Sequence, residues 1–262
     1  MIPKIIHYCW FGGNPLPDLA AKCIISWKKY FPNFEIKEWN ETNYDVYKIS
    51  YTGEAYDAKK YAFVSDYARF DILYQYGGIY FDTDVEVIRP FDTILNNGGF
   101  MGLESKKTIA PGLGVGCKAG LDILRQILEF YENLHFLNTD ASHNLKTVVE
   151  YTTTILKRNG FERKNKIQFL GDLVIYPTEY FCPMSVKTRI MNITENTYSI
   201  HHYEGSWLSE DDHRRVEFRK QIFTIFGDNI FSKGIVIFLL ILKRIKTHGL
   251  FETIKFCLEK YK

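Results

Sequence analysis

Apolar residues recur at steps of three and four after Ala62, at Phe63, Tyr67, Phe70 and Tyr74, with no Pro or Gly between them. That spacing predicts a helix. Gly77-Gly78 ends it, because glycine takes the positive φ that a helix terminus needs. Ile79 to Phe81 then predict a short buried strand, closed by Asp82-Thr83-Asp84, and Val85, Val87 and Ile88 resume extended structure before Pro90. Upstream, Lys4 to Trp10 reads as a first strand bounded by Gly12-Gly13-Asn14-Pro15. Leu16 to Phe31 reads as a helix with Leu19, Cys23, Ile24 and Trp27 on one side, stopped by Pro32-Asn33, and Phe34 to Trp39 alternates with the period of a strand. A strand, helix, strand succession of this size implies a parallel pair with a crossover helix, hence an α/β sheet. In open sheets of that kind ligands sit beyond the carboxyl ends of the strands. Trp10, Phe11, Asp82 and Asp84 fall at such ends.

Further along, small residues dominate from Gly98 to Gly120. Gly112, Gly114 and Gly116 do not match a dinucleotide fingerprint in spacing, and the stretch reads as a mobile loop and strands lining a pocket. Leu121 to Leu134 and Leu145 to Lys157 read as amphipathic helices, and Val174 to Tyr176 as a strand stopped by Pro177. Tyr198, Ile200 and His202 alternate onto one face of a last strand, which Gly205 turns. Ile235 to Leu242 is an apolar run of eight residues followed by Lys243, Arg244 and Lys246, far short of the roughly 20 residues of a spanning helix. The division expected is residues 1–228 as the main domain and 229–262 as a basic, apolar helical appendage.

Charge sharpens this division. From Ile230 to Lys262 seven Lys or Arg face two Glu, whereas the rest of the chain carries 26 basic and 29 acidic residues. The body is therefore no nucleic-acid binder, and the tail reads as a segment drawn to anionic lipid at an interface. The five cysteines are scattered, with no Cys-x-x-Cys. That pattern indicates neither a disulfide framework nor a zinc site and points to a reducing, cytoplasmic setting. The first residues, MIPKIIHYCWFGG, lack the parts of a signal peptide.

The candidate chemistry lies at Asp82-x-Asp84. Two carboxylates at i and i+2 at the mouth of a strand can converge on one divalent cation, Mg²⁺ or Mn²⁺, as in sites that grip a diphosphate. Asp66 and Arg69, at i and i+3, share a face of the preceding helix. A His at the end of the last strand could complete the metal shell.

Ser65-Asp66-x-x-Arg69, the Gly-Gly stop and Asp82-x-Asp84 together resemble the sugar-nucleotide-binding core of family 32 glycosyltransferases, bacterial capsular and surface polysaccharide enzymes, and of the related glucosylating toxins of clostridia. Ile6 to Gly13, Ser26-Trp27-Lys28 and Glu38-Trp39 fit the same pattern. The resemblance runs over about residues 2 to 210. It implies a GT-A type, Rossmann-like nucleotide-sugar-binding α/β domain with a C-terminal helical appendage. It places Trp10 on uracil, with Tyr8, Phe11 and Asp82 also at the nucleotide. Asp84 would bind the metal directly, while Asp82 holds the ribose and the metal shell. Asp66 would fix sugar hydroxyls, and Arg69 and Trp207, the latter in a closing loop with Ser206, would assist the leaving phosphate. His202, in His-x-x-Gly, resembles the third metal-ligand motif. His201 is the fallback, and Glu204 and Ser206 stay open because the toxins use an acid and a Ser there.

The function expected is a metal-dependent retaining hexosyltransferase. It would use a nucleotide diphosphate sugar, a UDP-hexose such as UDP-glucose or UDP-galactose, and a glycan acceptor in surface polysaccharide synthesis, with a lipid-linked acceptor as one option. Its expected place is the cytoplasm, at the inner face of the plasma membrane through the tail. Two rivals are a haloacid-dehalogenase type phosphatase and a non-catalytic glycan-binding protein. The phosphatase pattern wants Thr or Val where this chain has Glu86.

Overall fold

The crossover expected at the start of the chain is present. In a computed structural model, described for residues 1–185, 188–205, 210–227 and 229–254, β1 (Ile5–Cys9), α1 (Asp18–Tyr30) and β2 (Glu35–Trp39) form a parallel pair linked by a helix. There follow α2 (Ser50–Asp57), α3 (Tyr61–Tyr76), β3 (Gly78–Tyr80), β4 (Val85–Val87), α4 (Asp92–Asn96), β5 (Gly99–Ser105), β6 (Thr108–Ile109) and β7 (Val115–Cys117). Then come α5 (Asp122–Glu132), α6 (Val148–Arg158), β8 (Gln168–Leu170), β9 (Leu173–Tyr176), α7 (Thr178–Phe181) and β10 (Ser199–His201). The main sheet runs β2-β1-β3-β7-β5-β9-β8, with β6 on β5, and β10 pairs β4 in a separate two-stranded sheet. β2-β1-β3 and β5-β9 are parallel, and the other pairs of the main sheet are antiparallel. The α/β class holds, in a mixed sheet.

Two compact units result: Met1–Met184 with Asn192–Trp207, and Ser185–Met191 with Leu208–Lys262. In the first, alternate strand residues enter two different cores, as the period of two requires. Tyr80 and Cys9 join the cluster containing Phe63, Tyr67, Leu124 and Tyr151, whereas Ile79 and Phe81 join Trp27, Phe31 and Phe91. Trp27 fixes the second cluster by donating Nε1–H to the Val85 carbonyl at 2.8 Å. α3 is buried almost all round from Phe63 to Leu73. Its charged residues Asp66, Arg69 and Asp71 are therefore inside, where each needs a partner. Asp71 takes Lys48 Nζ at 2.7 Å and the Tyr44 hydroxyl at 3.1 Å.

Between Gly98 and Gly120 the expected strands form as β5, β6 and β7, whereas the segment expected to be mobile is packed: Pro111 to Cys117 are all buried. The alternating glycines explain why. β7 threads between β3 and β5, and a Cβ at Gly114 would meet the Phe81 ring, one at Gly116 the Phe100 ring. Bulky neighbours on both sides leave room for backbone alone. In the second unit, α8 (Glu210–Phe226) and α9 (Ile230–His248) flank a turn at Gly227, and Asn229 and Ser232 form a capping box on α9. No described helix is long and apolar enough to cross a membrane.

Gly116→Ala is expected to destabilise the protein by about 1–3 kcal/mol, the usual cost of overpacking a filled core, as read from the midpoint of urea unfolding. Full stability would mean that the sheet has slack at this point.

Candidate metal and donor site

The site begins where β3 ends. Phe81 N–H reaches the His7 carbonyl at 3.2 Å, and Asp82 N–H reaches that of Gly112 at the same distance. Val85 N–H then turns back to Asp82 carbonyl at 3.1 Å. This short turn holds both carboxylates at the carboxyl end of the sheet. A Cβ at Gly112 would collide with Asp82 Oδ2, so the glycine lets the backbone close on the acid.

The third member arrives from far along the chain. β10 runs antiparallel to β4 with His201 opposite Val85, and this register sets the imidazole beside the preceding carboxylate. His201 Nε2 lies 3.0 Å from Asp84 Oδ1. Tyr203, with φ of 53°, bends the chain so that Glu204 N–H donates to Asp84 Oδ2 at 3.0 Å. One ligand atom each from Asp82, Asp84 and His201 fall within 4.8 Å of one another. His202 goes elsewhere: its Nε2 meets Glu86 Oε2 at 2.8 Å, and Lys22 Nζ meets the same oxygen at 3.0 Å. The structure thus brings His201, rather than His202, to the acidic pair, and Glu204 contributes through its main chain.

Behind the pair sits Arg69, its side chain only 5% exposed. NH2 is 2.9 Å from Asp66 Oδ1, NH1 is 3.2 Å from Asp82 Oδ1, and Nε–H donates to the Ser65 carbonyl at 3.0 Å. The Tyr80 ring lies 4.9 Å from the guanidinium carbon, and its hydroxyl donates to Asp82 Oδ1 at 3.1 Å. Tyr80 shares a strand face with Asp82 two positions on, a signal that could have been read in the sequence. Burial opposes charge on Arg69, but Asp82, Tyr80 and Asp66 more than offset it and hold the guanidinium charged. Burial pushes the Asp66 carboxyl up, the Asp82 charge adds to that, and Arg69 with the Val148 N–H opposes it.

Electrostatics prepares Asp84 as a ligand. Burial alone would raise its carboxyl, yet His201 and the Glu204 amide hold it down at about 2. For His201 burial disfavours the proton, and Asp84, Asp82 and Glu104 together outweigh it and raise the imidazole. Its Nδ1 is buried without a hydrogen-bond partner among the described residues. Two carboxylates and an imidazole form a donor set suited to Mn²⁺, and Mg²⁺ fits the carboxylates. Glu104, at the end of β5, is an acid that the sequence alone did not single out.

Of the aromatics expected at a nucleotide, Tyr8 and Phe11 are 6% and 5% exposed. Tyr8 donates its hydroxyl to Glu38 at 2.7 Å, and Phe11 packs on Tyr44 with ring centroids 5.9 Å apart. Trp10 is half-buried, its indole N–H on the Asn14 carbonyl at 2.6 Å. Ser206 and Trp207 lie outside the described residues.

Residues 17–100 match the family described as glycosyltransferase sugar-binding region containing DXD motif. Inositol phosphoceramide mannosyltransferase 3 of Schizosaccharomyces pombe is 30% identical over 146 residues, covering 52% of this chain and 40% of that protein. Inositol phosphoceramide mannosyltransferase 1 of the same organism is 27% identical over 111 residues, 38% of this chain and 33% of its own. The chain therefore spans less than half the length of these two relatives. An uncharacterized glycosyltransferase of Acanthamoeba polyphaga mimivirus is 26% identical over 199 residues, 71% of this chain and 75% of that one. Among solved structures, PaToxG glycosyltransferase overlaps with a TM-score of 0.46 at 19% identity, over 60% of this chain and 68% of the other.

Asp84→Asn and His201→Ala are each expected to weaken Mn²⁺ binding at least tenfold, followed by the electron paramagnetic resonance signal of free Mn²⁺, while His202→Ala leaves it unchanged. The reverse order for the two histidines would exclude His201 as a ligand.

Proposed function

From a chain whose residues 17–100 match the glycosyltransferase sugar-binding region containing a DXD motif, we propose a metal-dependent GT-A type enzyme. It transfers a hexose from a nucleotide diphosphate sugar to a glycan hydroxyl. The observation that carries the reading is the cluster of Asp82, Asp84 and His201, with the Asp66–Arg69 pair directly behind it. A family match that contains this Asp-x-Asp sets aside the phosphatase reading.

Asp82, Asp84 and His201 would hold Mn²⁺ or Mg²⁺, which when bound neutralises charge on the departing diphosphate. The chain's own groups do the rest. Asp84 is ionised throughout the physiological range and needs no proton loss to serve as a ligand. Arg69 is fixed by two carboxylates and the Ser65 carbonyl, so its charge is oriented before donor arrives, as electrostatic preorganisation requires. Asp66, buried against Arg69, would fix the sugar hydroxyls, and Trp10 offers a partly open ring to the base. Trp207 remains assigned to the leaving phosphate. Resemblance to family 32 favours UDP-glucose or UDP-galactose as donor and retention at the anomeric carbon. The relatives named mannosyltransferases add a mannose donor to those worth trying.

Surface polysaccharide synthesis at the inner face of the plasma membrane is the setting we favour. α9 supports it by leaving Ile237 and Phe238 exposed within the apolar run, beside the basic cluster of the tail. A lipid-linked acceptor would be met there.

Sugar transfer from a panel of UDP-glucose, UDP-galactose and GDP-mannose is expected to stop in EDTA and return with Mn²⁺; full activity in EDTA would remove the metal from the reading. Asp84→Asn is expected to lose on the order of 10² in turnover or more. Trp10→Ala is expected to weaken UDP binding by about 1–3 kcal/mol, the range of base–aromatic stacking, and unchanged UDP affinity would return Trp10 to the core. For the tail, flotation with anionic vesicles is expected to fall when Lys243, Arg244 and Lys246 are all changed to Glu. Equal flotation would refute the membrane contact.

A further inference from the structure

α6 links the site to a second feature of the same unit. Its first residue, Val148, gives its N–H to the Asp66 carboxyl. The helix is 11 residues long, roughly 16 Å. Its outer flank lines a groove of about 630 Å³ with Glu150, Thr153, Thr154, Lys157 and Arg158, completed by Thr108, Lys146 and Arg163. Thr108 belongs to both neighbourhoods, since its hydroxyl bonds Glu104, whose charge acts on His201.

The groove carries four cationic side chains against one carboxylate. Lys157 and Arg158 occupy the last turn of α6, where basic residues are favoured by the helix dipole alone. That account does not reach Lys146 and Arg163, which come from the segments before and after the helix and converge on the same depression. Lys157, Arg158 and Arg163 form no ion pair with any described residue, and Lys146 lies over the Tyr151 ring at 5.0 Å. The carboxylate present, Glu150, is turned back to the Thr147 N–H as half of a capping box. The groove is therefore cationic and complementary to an anion.

We infer that this groove binds a phosphate-ester group of the acceptor, held by Lys157, Arg158, Arg163 and Lys146 while the acceptor hydroxyl lies at the Asp66 end of α6. Arg suits this ligand because its planar fork matches phosphate oxygens in pairs. The assignment to the acceptor rests on the transfer reading. Recognition of phosphate does not.

The test uses the full chain in EDTA, which silences the metal cluster, and a variant carrying Lys157→Gln, Arg158→Gln and Arg163→Gln, with Arg163→Gln alone as a milder second variant. Glycerol 3-phosphate, titrated by calorimetry, is the soluble arm. Sedimentation with phosphatidylcholine vesicles, with and without phosphatidic acid, is the lipid arm. UDP affinity with Mn²⁺ is measured in parallel. The expected result is a loss of at least tenfold in glycerol 3-phosphate affinity in the triple variant, a smaller loss in the single one, and unchanged UDP affinity. A loss seen only with phosphatidic acid vesicles assigns the phosphate to a lipid headgroup and also supports the site. Equal binding by wild type and triple variant in both arms, or no binding by the wild type in either, overturns it. Absent UDP binding with phosphate binding retained would remove the donor reading and leave the anion groove standing.

Discussion

A single guanidinium shared by the buried Asp66 and the partly exposed Asp82 is the constraint on which the rest of the structure depends. Arg69 pairs with both Asp66 and Asp82, burial pushes the Asp66 carboxyl up towards its neutral form, and Asp84 adds a further negative charge that His201 offsets only when protonated. Removing one partner from a buried pair costs about 3–5 kcal/mol, so the fold has a stake in keeping Arg69 where it is. The same shortage of positive charge makes the mouth of the sheet a place where a cation is welcome. A cation there would in turn draw a diphosphate. Stability and ligand attraction thus come from one imbalance, and α3, buried almost all round from Phe63 to Leu73, delivers that arginine from beneath.

Much of this was legible in residues. The period of the first two strands and their helix announced a parallel crossover, and it forms with the register Ile5 opposite Glu35. The end of α3 at Gly77-Gly78 was equally plain: both residues take positive φ, and a Cβ on Gly78 would press on the Ile5 carbonyl and the His7 ring. Asp66, Arg69, Asp82 and Asp84 meet as their spacing suggested. These are local relations, within one helix, one turn and one strand.

What stayed hidden depends on partners remote in sequence. Alternation along Tyr198, Ile200 and His202 assumed that the strand continues to His202, but β10 ends at His201, and its pairing with β4 decides which imidazole reaches Asp84. The Gly-x-Gly-x-Gly run looked like a loop because its apolar neighbours, the rings of Phe81 and Phe100, are supplied by other strands. α2 was missed since Gly53 interrupts its pattern, and the space there is taken by Tyr47. Glu104 gave no local sign, and only the fold brings it within the field of His201.

The two-stranded pairing of β4 with β10 has a bearing on biosynthesis. The contact between Asp84 and the Glu204 amide spans 120 positions of chain, which at 5–20 residues per second is roughly 6–24 s of translation. During that interval the parallel crossover, α3 and the Arg69 pairs can assemble, but Asp84 has neither its imidazole nor its amide. A nascent polypeptide stalled before β10 would carry a formed sheet with an incomplete mouth. Competence for the cation is therefore conferred only once β10 has been made and the long loop between it and Asp84 has closed.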